Sequence, residues 1–92
     1  MAGQGVCRLN DKNDGDGFVE ETPQTSVFVN GELAAVITSK ISDHEDHEDE
    51  TIIEGDDTVM IEGQAVAYIT CKNSCDHVMV DGSGNVFVGG NG

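Results

Sequence analysis

The chain has 92 residues, of which 18 are acidic and 4 basic, and its formal net charge is -14 at pH 7. This length allows one small domain with a marginal core, so a disulfide, a metal or a partner subunit is expected to add stability. The charge excludes nucleic-acid binding through a basic surface, because affinity for phosphate depends on Lys and Arg. The apolar residues are mostly Val, Ile and Ala, and the chain has 12 glycines and no Trp. This composition favours strands joined by turns.

The cysteines and the N-terminus indicate a reducing compartment. The chain has three cysteines, Cys7, Cys71 and Cys75. This odd number argues against a complete disulfide framework. The N-terminal residues MAGQGVCRLND lack the apolar segment of a signal peptide. No run of residues approaches the roughly 18 apolar residues of a transmembrane helix. The sequence therefore predicts synthesis in the cytoplasm, no signal peptide and no stable membrane insertion.

The first part of the chain is predicted to form a short strand around Val6 and Cys7, followed by a polar loop. Residues 11–17, DKNDGDG, are similar to a calcium loop, which needs oxygen ligands at its alternate early positions and a glycine at the sharp turn. With Gly15 at that turn, Lys12 falls on a ligand position and would put a cation among the ligands. A polar surface turn is therefore the preferred interpretation, and calcium binding is the alternative.

A strand-and-turn unit then recurs three times. It reads SVFVNGELAAVI at 26–37, TVMIEGQAVAYI at 58–69 and NVFVGG at 85–90. Each copy has a Val-Φ-Val/Ile strand, where Φ is Phe or Met, followed by a turn; Asn30-Gly31 is a strong hairpin signal. The first two copies continue into a return strand, whereas the third is predicted to have none. Such spacing predicts three copies of one supersecondary unit.

The two connections between the copies contain a candidate metal site. They read TSKISDHEDHEDE at 38–50 and TCKNSCDH at 70–77, and they hold all three histidines and two of the three cysteines. Because they occupy equivalent places between repeats, packing would bring them to one level of the molecule. Zinc takes four N or S ligands in closed structural sites. The predicted ligands of one structural zinc ion are His44, His47, Cys75 and His77, with Cys71 in reserve. Iron is possible in the same site.

Enzymatic activity is not expected. A Cys–His pair can serve as nucleophile and base, but no oxyanion-hole glycine loop, nucleophile elbow or phosphate loop accompanies it. A free-standing metal- or calcium-binding β-repeat module is the alternative to a structural role.

The repeats and the closing VFVGG resemble the PAAR-repeat proteins, which cap the spikes of contractile phage tails and of type VI secretion systems. In that family a V-F-V/I-N-G strand and turn leads into a P-A-A-R-like return strand, and the last copy usually ends in V-F-I-G-G. Residues 27–36 match this unit, 63–68 form the second copy and 82–90 match the closing copy. Neither return strand keeps the proline or the arginine. The family's early D-x-x-x-H-G-G motif has no histidine here, since residues 11–17 read DKNDGDG.

The resemblance implies an all-β fold class: a small cone of three β-hairpin repeats with pseudo-threefold symmetry and a metal near the apex. Residues 1–92 would form a single domain with repeats around 26–37, 58–69 and 85–90. It implies a structural tip that caps a trimeric β-helical spike, one copy per trimer, by strand addition, and that contacts and pierces the target envelope. The implied location is the virion tail tip, with the tip of a secreted type VI spike as the alternative.

Overall fold

The computed structural model describes residues 3–43 and 48–88. Within these ranges the chain forms eight short strands and no helix, so no helix there is long and apolar enough to span a bilayer. The strands are β1 (Gln4–Gly5), β2 (Val19–Glu21), β3 (Phe28–Val29), β4 (Glu32–Leu33), β5 (Lys40–Ile41), β6 (Asp56–Ile61), β7 (Gln64–Val66) and β8 (Phe87–Val88). The prediction of an all-β fold is confirmed.

Three antiparallel hairpins form the wide end of the molecule. Two of them, β3–β4 and β6–β7, are the hairpins predicted from the repeats. The third resembles a hairpin but joins strands that are distant in the sequence. In it β8 pairs with β1, with Gln4 opposite Val88 and Gly5 opposite Phe87.

The prediction that the third copy lacks a return strand is therefore wrong. Its return strand is the N-terminal segment, and residues 3–12, GQGVCRLNDK, align with GELAAVITSK at 31–40 and GQAVAYITCK at 63–72. The pairing was missed because the two halves of this hairpin lie at opposite ends of the sequence. In this alignment Arg8 occupies the arginine position of the PAAR motif.

The three return strands meet at a closed triangle of backbone hydrogen bonds. The N–H of Cys7 donates to the carbonyl of Ala67 (3.0 Å), that of Ala67 to Ala35 (2.9 Å) and that of Ala35 to Cys7 (2.9 Å). All three residues are fully buried. Small side chains are required here because three backbones converge on one axis. The triangle makes the pseudo-threefold relation between the repeats explicit.

A tight turn follows each return strand. The N–H of the fourth residue donates to the carbonyl of the first at 3.0 Å in all three turns, from Asp11 to Arg8, from Ser39 to Val36 and from Cys71 to Tyr68. The third residue of each turn has a positive φ: 77° at Asn10, 79° at Thr38 and 86° at Thr70. A β-branched residue is rarely found in this conformation, so the two threonines are held there by the surrounding hydrogen bonds.

Beyond the turns, six strand segments form a narrow ring that closes on itself. Three hairpin-like pairs are joined to one another by three further bridges, and the paired residues are Lys12–Phe18, Lys40–Thr51, Lys72–Val78, Asn13–Met79, Val19–Ile41 and Ile52–Asn73. Equivalent residues Val19, Ile52 and Met79 fill the inside of the ring and are fully buried. The molecule measures 36 × 26 × 22 Å along its principal axes, and the predicted conical, pseudo-threefold architecture is confirmed.

The β1–β8 pairing gives a stability prediction. A Cβ added at Gly5 would lie 2.3 Å from the carbonyl oxygen of Ser83, whereas a Cβ at Gly84 would have no atom within 4 Å. We expect Gly5→Ala to lower the free energy of unfolding by about 2 kcal/mol through overpacking, and Gly84→Ala to change it by less than about 0.5 kcal/mol. Urea unfolding followed by circular dichroism measures both. Equal unfolding midpoints for the two variants would show that the N-terminal strand does not pack beside Ser83.

Candidate functional site

Three loops project from the ring at the end opposite the hairpins, and they form the point of the cone. Each is closed by one backbone hydrogen bond, from Asn13 to Gly17 (2.8 Å), from Ile41 to Glu50 (2.8 Å) and from Asn73 to His77 (2.7 Å). The middle loop, 41–50, is longer than its counterparts 13–17 and 73–77. It contains His44 and His47, which lie outside the described residues.

His77 is oriented by a carboxylate from another loop. Its Nδ1 lies 2.7 Å from Oδ1 of Asp14. Desolvation raises the pKa of Asp14, but hydrogen bonds from the Val78 N–H and from His77 outweigh it, so the pKa of this carboxyl lies below its usual value. With Asp14 ionised, Nδ1 of His77 is the donor of this hydrogen bond. This is the carboxylate–imidazole arrangement that commonly supports metal-binding histidines.

The imidazole of His77 also lies against Gly15. A Cβ at Gly15 would lie 2.5 Å from both Cε1 and Nε2 of the ring. Gly15 is the position at which the D-x-x-x-H-G-G motif has its histidine. The third loop therefore places the imidazole of His77 beside Gly15, where the family motif has its own histidine. A side chain at Gly15 would displace the imidazole of His77.

Cys75 belongs to the same loop as His77 and is half-buried. Equivalent backbone bonds from Asp14 to Val78 (3.0 Å) and from Ser74 to Thr51 (2.8 Å) align the first and third loops. This alignment makes Cys75 the counterpart of Gly15. A thiolate sulfur and an imidazole nitrogen are suitable donors for zinc or iron. Among residues 3–43 and 48–88, no group of three or more His, Cys, Asp or Glu side chains is arranged to hold a metal.

Cys71, the reserve ligand, lies one layer below the loops. Its sulfur accepts the N–H of Tyr68 (3.4 Å) within a tight turn. The Ser39 hydroxyl does the same for Val36 (3.0 Å) in the equivalent turn. Burial raises the pKa of the Cys71 thiol to about 11. The structure thus gives Cys71 a turn-forming role, and metal binding by this residue stays a prediction.

The carboxylate of Asp11, two residues before the first loop, is engaged within the protein. Asp11 accepts two side-chain hydrogen bonds from Arg8, at 2.8 and 3.0 Å. Arg8 also donates to the side chain of Asn30 (3.0 Å) and so ties the return strand to the first hairpin. Sequence reasoning missed the Arg8–Asp11 and Asp14–His77 pairs. The alignment of residues 3–12 with the other return strands was the signal that could have revealed the first.

The opposite end of the cone is an apolar base. Equivalent valines Val27, Val59 and Val86 are each 38% exposed, and the residues after them, Phe28, Met60 and Phe87, are 61%, 55% and 47% exposed. Contiguous exposed apolar residues of this kind mark interaction surfaces. We call these six residues the apolar base.

Side-chain hydrogen bonds hold neighbouring hairpins in place around the base. Glu62, in the turn of the second hairpin, accepts from the Ser26 hydroxyl (2.7 Å) and from the N–H of Thr25 (3.1 Å). Asn30, in the turn of the first hairpin, donates to Asn85 (2.8 Å). The Ser26 bond contributes most to lowering the pKa of Glu62. Hydrogen bonds therefore join the hairpins around the base, which are not independent of one another.

Comparison with known proteins agrees with this geometry. A search of curated proteins finds no match to the chain. The family model described as the PAAR motif matches residues 9–80, well over half of the chain. Proteins with this motif are structural spike tips of contractile injection systems, located at the end of a tail or secretion spike and associated with the spike protein. The match and the three-repeat cone lead to one conclusion: the chain belongs to the PAAR family and is a spike-tip protein.

Proposed function

We propose that the chain caps a trimeric β-helical spike through its apolar base, one copy per trimer, and that its three loops form the piercing point. The observation that carries this proposal is the near-equal exposure of equivalent apolar residues on all three hairpins. A trimeric spike presents three identical chains around one axis, and three equivalent hairpins of a single chain match them one to one.

The hairpins also supply backbone groups for the same interface. Among the described residues each hairpin is a two-stranded sheet, so the outer strands β3, β6 and β8 offer edges to which spike strands can add. Main-chain hydrogen bonds would then give affinity, and the exposed Phe and Met side chains would give specificity. Covering these edges would also remove an aggregation hazard.

Replacing Phe28 by Asp tests the base. Phe28 is 61% exposed at the centre of one hairpin, and an aromatic anchor of an interface contributes about 2 kcal/mol or more. We expect Phe28→Asp to weaken binding to the trimeric spike protein of the same injection system by about 30-fold, measured by biolayer interferometry.

Ile53→Asp is the matched control, because Ile53 is 49% exposed but lies outside the apolar base. It should bind the spike as the unchanged protein does. Native mass spectrometry of the complex should give one chain per spike trimer. Three chains per trimer, or equal losses of binding for both variants, would contradict the proposed orientation.

We further propose one structural zinc ion at the point, with iron as the alternative, held by His44, His47, Cys75 and His77. The support is the donor chemistry of the third loop, together with the Asp14 carboxylate, which lies 2.7 Å from Nδ1 of His77 and orients the imidazole. A narrow point has little apolar area to bury, and a metal bound by several loops would stabilise it.

The metal proposal predicts a stability loss on removal of its donors. Protein purified without added metal should contain one zinc or iron per chain by elemental analysis, and Cys75→Ala/His77→Ala should contain none. The double variant should melt roughly 10 °C or more below the unchanged protein, because each 1 kcal/mol shifts Tm by about 4–8 °C in domains of this size.

Cys71→Ser is the control for the metal experiment. It should keep the metal, because the thiol of Cys71 serves a turn. Asp14→Asn should keep the ligands but lower metal affinity by about 10- to 100-fold. Unchanged melting of the double variant, with no metal in the unchanged protein, would remove the metal from the proposed function.

We place this tip on the tail of a phage, with the tip of a secreted type VI spike as the alternative. In both settings sheath contraction would drive the point through the target envelope. Mass spectrometry of purified virions and of secreted spike fractions distinguishes the two locations, and absence from the virions would overturn the phage assignment.

A further inference from the structure

Three lysines lie at equivalent positions on the sides of the ring, each on the middle strand of a three-stranded face. On face A, Lys12 pairs with Phe18 on one side. On the other side, its backbone carbonyl accepts a hydrogen bond from the N–H of Val80 (2.9 Å). Phe18 and Val80 are 37% and 47% exposed, and Lys12 between them is exposed too. Face A therefore presents a cation between two apolar side chains.

Face B repeats this pattern. Lys72 pairs with Val78, and its backbone carbonyl accepts a hydrogen bond from the N–H of Ile53 (2.9 Å). Ile53 is 49% exposed, Val78 is half-buried and Lys72 is exposed. Apolar side chains again lie on both sides of a lysine.

The third face, which we call the polar face, breaks the pattern. Lys40 pairs with Thr51 on one side and with Glu21 on the other, and its ammonium group forms an ion pair with Glu20 Oε2 at 3.3 Å. In contrast, the ammonium groups of Lys12 and Lys72 make no ion pair with any residue in the described ranges. In a chain with 18 acidic residues, each of these two lysines lies between apolar side chains without an ion-pair partner among the described residues. Each face therefore suits a carboxylate from another molecule.

The geometry of the ring restricts the form of the partner. Because the ring is closed, faces A and B offer no strand edge for β-addition, so a partner must bind through side chains. Neighbouring strands lie about 4.8 Å apart, so the two apolar flanks of each lysine are about 10 Å apart. In an α-helix, residues i and i+7 are separated by about 10.5 Å. A helix lying across the strands would place two apolar residues on the flanks and an intervening carboxylate on the lysine.

The surrounding charge restricts the partner further. The backbone N–H of Lys12 donates to Asp81 (3.3 Å) and that of Lys72 to Glu54 (2.9 Å), so a carboxylate of the chain borders each face. With a net charge of -14, the chain would repel a helix that is acidic throughout. Complementarity favours a helix with one central carboxylate and basic outer residues.

We propose that faces A and B each dock one amphipathic helix of a partner protein, which carries a carboxylate between two apolar residues and basic residues outside them. The polar face takes none, because its lysine is already paired and its flanks are polar. The tip thus has two lateral docking sites besides its base and its point, and these sites do not depend on the proposed spike contact.

A stapled helical peptide of about five turns tests this inference. It carries Leu at i and i+7, Glu at i+3 and Lys on its outer positions, and its binding to the full chain is measured by isothermal titration calorimetry. We expect two sites per chain. Lys12→Glu and Lys72→Glu should each weaken peptide binding at one of the two sites by about tenfold or more, and the double variant should show this loss at both sites.

Lys40→Glu is the matched control and should keep both sites, and circular dichroism of all variants shows whether they fold. A peptide with Lys in place of its Glu should bind the double variant and not the unchanged chain. No binding, three sites, or binding that is insensitive to Lys12 and Lys72 would overturn the inference. Binding of the chain to anionic vesicles that requires both lysines, without peptide binding, would overturn it in favour of a lipid surface.

Discussion

The closed triangle of backbone hydrogen bonds between Cys7, Ala35 and Ala67 is the constraint on which the rest of the structure depends. It brings three return strands within hydrogen-bonding distance of one axis, which admits only small side chains. From that narrow waist the three hairpins extend towards the wide base, and the strand ring continues towards the point. Backbone geometry therefore makes the molecule narrow at the triangle, and larger residues such as Ile52 and Met79 fit inside the ring beyond it.

The repeats of the sequence predicted two hairpins and three copies of one unit, because those features depend on local patterns. The all-β cone with pseudo-threefold symmetry was what the resemblance to the PAAR family implied. The third hairpin was missed because its strands are 82 positions apart at Gly5 and Phe87, and no local pattern joins them. The same limit applies to the point. Cys75 and His77 were identified by residue type and spacing, but Asp14, which orients His77, lies 63 positions away in the sequence. His44 and His47 were predicted as metal ligands; they lie outside the described residues, so their role stays a prediction.

Symmetry is kept in one part of the molecule and broken in others. At the base, the three valines have identical exposure and the following side chains are all large and apolar. At the point, one loop is longer and the loops differ in their donor residues. On the sides, two faces carry a lysine with no ion pair among the described residues, and the third carries the Lys40–Glu20 ion pair. A surface that meets a threefold partner gains from equivalent contacts, whereas the proposed metal and helix sites have no such requirement.

The pairing of β1 with β8 also has a kinetic consequence. A nascent chain that lacks residues 85–88 has no β8 to pair with β1, and the N–H of Val6 then lacks the carbonyl of Val86 to which it donates (3.0 Å). The strand that completes the axial triangle therefore stays unpaired on its outer side until residues 85–88 have been synthesised. Long-range pairing of this kind slows folding and exposes strand edges to aggregation in the meantime. We expect the domain to fold only after residues 85–88 have been synthesised, as a single cooperative closure of β1 onto β8.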